Sequence, residues 1–230
     1  MSTSDAAAWV TAGATFLAVL VALFREDIAR LWRRPKLVAM VRLAAPDCHK
    51  TVATYANYKT GKIEQGPCYY LRVWVENKGN LRAEQVQVFA AKLLRRHADG
   101  TFREEKQFLP MNLRWAHSRD TSPEIFAEGI SPLMGKHCDL GHILDPKIRA
   151  RTGQYLPDVS EDQTILALDL EVAPNTLSHL VAPGIYRLEL RIAAANCRPV
   201  TKILEINHTG QWYDDEARMF ADGLGLRKIS

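Results

Sequence analysis

The chain has 230 residues, 30 basic against 26 acidic, for a formal net charge of +4. That length holds one folded domain with accessories, and the ordinary apolar and charged content excludes both a disordered chain and a wholly membrane-embedded one. So mild a basic excess leaves nucleic acid out of the expected partners. The four cysteines, Cys48, Cys68, Cys138 and Cys197, lie far apart and form no CxxC pair. Zinc-knuckle spacing is therefore missing, and free thiols suited to a reducing compartment are expected. No GxSxG, GxxxxGK[ST], HExxH or GxGxxG occurs, so neither a cofactor nor catalytic residues are expected.

Taken in chain order, residues 1–5 form a polar leader and residues 6–24, AAAWVTAGATFLAVLVALF, carry no charge. As a helix that run is about 28 Å long, which predicts a transmembrane span. The leader lacks the basic start of a signal peptide, and the run ends at Phe24-Arg25-Glu26-Asp27 without a small-residue cleavage site, so it is expected to stay attached. Residues 25–36 are a basic juxtamembrane segment whose Arg25, Arg30, Trp32, Arg33, Arg34 and Lys36 are expected at the membrane surface. Basic residues follow the span and none precedes it, which predicts a single-pass protein of the cell inner membrane with its C-terminal domain in the cytoplasm. Ile28, Leu31 and Trp32 share one helical face suited to an anionic leaflet. Ala14, Ala18 and Ala22 recur every fourth residue, a small-residue stripe that suggests homo-oligomerisation.

From residue 37 to 230 the period changes to alternation. LVAMVRL at 37–43 is a short strand, and in YYLRVWVEN the residues Tyr69, Leu71, Val73 and Val75 face one way. After the turn Asn77-Lys78-Gly79-Asn80 a second run passes through Val86, Val88 and Ala90 to Leu94, and Ala98-Asp99-Gly100 marks another hairpin. Leu166, Leu168, Leu170 and Val172 alternate, as do Tyr186, Leu188, Leu190 and Ile192, and residues 200–206 supply a last strand. Short strands without intervening helices predict a mainly β, antiparallel sandwich. Residues 108–162 break the alternation with five prolines and read as an irregular insertion, a place to look for a partner surface. Near the C-terminus Asp214 is placed to cap a short helix that buries Met219 and Phe220 and stops at Gly223.

VWVENKGNLRAEQVQVFAAKL, through Val75, Asn77, Gly79, Ala83, Val86 and Val88, resembles a hairpin of bacterial immunoglobulin-like modules, including the CARDB-type adhesion-related group. LVAPGIYRLELRI resembles the strand near the end of similar sandwiches, at Leu180, Pro183, Gly184, Tyr186, Leu188, Leu190 and Ile192. The resemblance covers about 35 residues and implies an immunoglobulin-like β-sandwich without naming a ligand.

His137-Cys138-Asp139-Leu140-Gly141-His142 is the one cluster with metal-ligand chemistry. Cys138 and His142, with His117 from elsewhere, would be the zinc ligands if a helix aligned them, but the glycine argues against such a helix. Lys92, Arg95, Arg96 and His97 form a small basic patch at a hairpin end. The leading functional expectation is a membrane-tethered, non-enzymatic interaction module at the cytoplasmic face, with the bilayer and a protein as partners. An extracytoplasmic ligand- or wall-binding module and a metal-dependent enzyme using residues 137–142 are the alternatives.

Overall fold

The alternating runs fold into strands, and thirteen strands occur among the described residues. The computed structural model describes residues 3–25, 33–118 and 125–229. After helix α1 (Thr3–Leu23) come β1 (Leu37–Met40), β2 (Cys48–Ala56), β3 (Ile63–Asn77), β4 (Ala83–Arg96), β5 (Phe102–Glu104), β6 (Met111–Asn112), β7 (Ala127–Ile130) and β8 (Gly135–Leu144). Helix α2 (Pro146–Thr152) precedes β9 (Leu166–Leu168), β10 (Leu180–Val181), β11 (Gly184–Ala194) and β12 (Cys197–His208). A single turn α3 (Glu216–Arg218) runs into a π turn at Met219–Gly223 and then β13 (Leu224–Lys228). All strand pairs are antiparallel. The fold is a two-sheet, mainly β sandwich with a few short helices, compatible with an immunoglobulin-like architecture.

The first sheet runs β10–β9–β8–β3, and both β1 and β2 pair with the remaining edge of β3. The second runs β13–β12–β11–β4, with β5, β6 and β7 successively along the outer edge of β4. Each sheet thus ends on one side in an edge made of separate strands rather than one continuous strand. Residues 113–116 cross from the second sheet, where Leu113 N donates to Val88 O at 2.8 Å, to the first, where Ala116 N donates to His137 O at 3.0 Å.

Tyr69, Leu71, Val73 and Val75 of β3 meet Tyr186, Leu188, Leu190 and Ile192 of β11 in the core, as their alternation predicts. Two strands depart from strict period two. A bulge opposite Glu189/Leu190 inserts Ala91 into β4, so that Leu93 rather than Leu94 points inward. Val172 lies beyond the end of β9 and is 58% exposed, which ends the inward run at Leu170.

The expected irregular insertion at 108–162 is corrected most by β8, a central strand between β3 and β9. A bulge at Leu140 switches its inward phase from Cys138 and Leu140 to Gly141 and Ile143, which hides the alternation. At the C-terminus the helix cap is Asp215, accepting from Arg218 N at 2.8 Å, while Asp214 pairs with Lys50 at 3.0 Å. Met219 is buried, and Phe220 packs edge-on to Tyr69 at 5.6 Å. The strand β13 that follows has too few alternating residues to be read from sequence.

One buried side chain ties the end of the sandwich together. Asn77 Oδ1 accepts from Lys36 N at 3.0 Å and Gly79 N at 2.9 Å, and Nδ2 donates to Leu81 O at 2.7 Å and Ile130 O at 2.9 Å. Gly79 is required beside it, because a Cβ there would strike the backbone of Arg34 and Lys36. Asn77→Ala should therefore cost about 2–4 kcal/mol, by orphaning backbone groups at three loops. Leu188→Ala should cost about 2–5 kcal/mol through loss of buried contacts. Both are read by denaturant unfolding, and a change within error at either site would contradict its packing.

Candidate functional site: the N-terminal helix and a polar sheet face

Helix α1 carries no charged side chain from Trp9 to Phe24, and its only hydroxyls there are those of Thr11 and Thr15. From Trp9 to Arg25 no side chain is buried and only Leu20 is partly covered. Trp9 is 74% exposed, Phe16 66% and Leu17 62%. A surface helix that packs on a core shows one polar and one apolar face, and this one does not. Ala14, Ala18 and Ala22 are exposed on it.

Among the described residues no helix is long and apolar enough to cross a membrane. The transmembrane reading of residues 6–24 is corrected accordingly. Helix α1 has 21 residues, about 31 Å along its axis, but Thr11, Gly13 and Thr15 dilute its apolar run. Of the membrane-surface residues, Arg25, Arg33, Arg34 and Lys36 are exposed. Arg30 and Trp32, with Ile28 and Leu31, lie outside the described residues, as do residues 1 and 2 of the leader.

The 137–142 cluster lies on a strand, and the bulge at Leu140 sorts it. Cys138 is fully buried in the core, its thiol donating to Arg114 O at 3.2 Å. His142 points to the opposite face, toward Tyr70 and Asp169. A metal shared by Cys138 and His142 would have to bridge the sheet, and His117 is exposed. No group of three or more metal-ligating side chains occurs among the described residues. Burial pushes the Cys138 thiol well up, opposite to what a thiolate ligand needs.

On that outer face the structure assembles polar residues that sequence reasoning missed. Arg72 Nε bonds Asp139 Oδ1 at 2.8 Å, and Arg72 stands over the Tyr70 ring. His142 Nδ1 meets Asp169 Oδ1 at 2.8 Å, and Gln154 Nε2 meets His142 Nε2 at 3.2 Å. One imidazole tautomer satisfies both contacts: Nδ1 donates to the carboxylate, and Nε2 accepts from the amide. Nearer the α1 end, Asp47 is fully buried between Arg42 Nε at 3.0 Å and His137 Nε2 at 3.1 Å, with the His137 ring 4.6 Å from Trp74. The cover over this face is held by buried Arg149, which donates to Gln154 O at 3.2 Å and Ser160 O at 2.6 Å. Outward positions 70, 72, 139 and 142 of two core strands carry the signal, but only once β8 is known to be a strand.

The electrostatics follow burial and pairing. Burial raises the Asp139 carboxyl despite Arg72, with Asp169 adding repulsion. Burial pulls His142 down, but the Asp169 charge and hydrogen bond outweigh it and hold the imidazole above its ordinary value. The partner at its Nε2 is an amide rather than a serine or cysteine, so the pair lacks the nucleophile of a hydrolase triad.

No family model, curated protein or solved structure matches the chain.

His208 offers a pH test of the fold supporting this face. It is buried against Thr164, Oγ1 to Nε2 at 2.7 Å, and burial pushes it down to about 4. Unfolded, the imidazole titrates near 6.5, so between that value and about 4 the unfolded state binds more protons. Stability should fall by about 3 kcal/mol as pH drops through this window. Urea unfolding of the native protein and of His208→Gln at several pH values checks it: the variant should show a flatter acid dependence, whereas parallel curves would contradict a neutral buried His208.

Proposed function

We propose that this chain is a non-enzymatic interaction module held at the cytoplasmic face of the cell inner membrane by its N-terminal helix. The observation that carries the reading is α1 itself, whose large apolar side chains from Trp9 to Phe24 stand uncovered by the sandwich. Each uncovered side chain of this size costs about 1.5–3 kcal/mol relative to burial, so an apolar phase is its stable surrounding. Insertion among lipid chains covers it without requiring that it span. The basic residues that follow, Arg25, Arg33, Arg34 and Lys36, suit an anionic leaflet, each contributing on the order of 1 kcal/mol. The free thiols Cys48, Cys68, Cys138 and Cys197 support the reducing side of that membrane.

The sandwich then serves as the presented surface. Strand β2 has a neighbour on one side only, and its Thr51–Ala56 stretch is the longer part of that open edge beyond the contact of Lys50 N with Glu216 Oε2 at 2.6 Å. A partner's strand added there would gain main-chain hydrogen bonds without any dedicated chemistry. Self-association through Ala14, Ala18 and Ala22 would multiply such edges at one membrane patch.

Vesicle flotation tests the attachment. The full chain should float with lipid, and a chain lacking residues 1–32 should remain in the aqueous fraction as a folded, β-rich domain by circular dichroism. The cut is placed before Arg33 because Arg34 and Lys36 are bonded to Asn80 and Asn77. A full chain that stays with the aqueous fraction would overturn the reading. C-terminal reporters active only inside or only outside the cytoplasm then assign the face.

A further inference from the structure

The end of the sandwich nearest α1 in the chain holds a cleft of about 860 Å³, lined by residues 34–37 on one side and by 195–200, the β11–β12 turn with the start of β12, on the other. Its charged side chains are Arg34, Lys36 and Arg198, and no acidic residue lines it. All three are exposed. None has an ion-pair partner among the described residues, although most other arginines of the sandwich do. Between the cations the walls are apolar: Pro35, Leu37, Pro199 and Val200.

The cleft is built rather than incidental. Its first wall is pinned by Arg34 N to Asn80 Oδ1 at 2.9 Å, Lys36 N to Asn77 Oδ1 at 3.0 Å and Lys78 N to Lys36 O at 2.8 Å. Its second wall is pinned by Asn196, whose Oδ1 accepts from Glu84 N at 3.1 Å and whose Nδ2 donates to Arg82 O at 2.9 Å. Two segments more than 150 residues apart in sequence are thus set to face each other with cations on both. Arg34 follows Phe24 by ten residues, a reach of at most about 35 Å from the end of the apolar helix.

We propose that this cleft binds the headgroup of an anionic phospholipid, the phosphodiester held by Arg34, Lys36 and Arg198 and the glycerol region lying against the prolines and aliphatic side chains. Two guanidinium groups and one ammonium supply bidentate and point-charge recognition of phosphate oxygens. Mixed charge and apolar lining fit an amphipathic ligand better than a free ion. The inference rests on membrane attachment through α1 and assigns it lipid selectivity: the helix supplies apolar affinity for any bilayer, and the cleft the preference for anionic lipid.

The test uses the full chain with phosphatidylcholine vesicles and with vesicles that also contain phosphatidylglycerol. Arg34→Gln/Lys36→Gln/Arg198→Gln is compared with a control of equal charge loss at the opposite end, Lys59→Gln/Lys62→Gln/Lys106→Gln. The cleft variant should lose about 100-fold in partition to the anionic vesicles, at roughly fivefold per cation, and keep its partition to neutral ones. The control should lose far less. Equal losses in the two variants, or none in the cleft variant, would overturn the proposal while leaving attachment through α1 intact. Failure of the native chain to bind either vesicle would overturn both. Inorganic phosphate is the third arm: chemical shifts at Arg34, Lys36 and Arg198 that saturate with phosphate alone, and block vesicle binding, would make the ligand free phosphate and defeat the lipid assignment. Circular dichroism and thermal unfolding of both variants verify folding, which exposed side chains should leave unchanged.

Discussion

A single amide, that of Asn77, is the constraint on which the α1 end of the molecule depends. Its oxygen and nitrogen each make two hydrogen bonds to backbone, and none of the four partners belongs to the strand it ends. Its own backbone adds Asn77 N to Met134 O at 3.0 Å and Leu133 N to Asn77 O at 2.8 Å. An amide buried without partners would be costly, so the loops must come to it in one arrangement. That arrangement sets the segment joining α1 to β1, the β3–β4 turn and the β7–β8 loop against one another. The cleft holding Arg34 and Lys36 exists because Asn77 fixes its first wall.

The rest of the sandwich shows how irregularity is used without loss of the core. Bulges at Ala91 and Leu140 each shift the inward phase of a central strand by one residue. In β8 the shift puts His142 on the outer face with Asp169 and Gln154 while Cys138 remains inside. A strict alternation would have placed both on the same side. Extra residues in a ladder bend and twist a strand, and here they also decide which chemistry faces out.

What could be read in advance was the regular part. Tyr69 to Val75 and Tyr186 to Ile192 are central, unbroken strands, and for those local pattern and tertiary burial coincide. The resemblance of the 75–88 stretch to a sandwich hairpin pointed to Asn77 and Gly79, though the reason for both residues lies in Arg34 and Lys36, distant in sequence. Residues 108–162 were opaque because β6 and β7 are short pieces on an edge and β8 is bulged. The outer polar face was invisible for a related reason: Tyr70, Asp139 and Asp169 are brought together by sheet order, which no local period encodes. The cleft likewise joins Arg34 to Arg198 only through the β11–β12 turn. The apolar run of α1 was plain, but no helix among the described residues is long and apolar enough to cross a membrane, and Thr11, Gly13 and Thr15 interrupt this one.

The order of the strands also sets an order of events during synthesis. β3 must wait for β8, and β4 for β11, where Leu93 pairs with Leu188. Neither sheet can be completed until almost the whole chain has been made, and such non-local pairings close slowly. The helix, by contrast, needs only neighbouring residues to form. For most of translation the molecule is therefore an apolar helix trailing local hairpins such as β2–β3 and β4–β5 whose sheets are unfinished, and the helix can find its apolar surroundings first. Folding of the sandwich would then take place beside whatever surface the helix has already joined, with its exposed edges diluted over that surface rather than free to meet in solution.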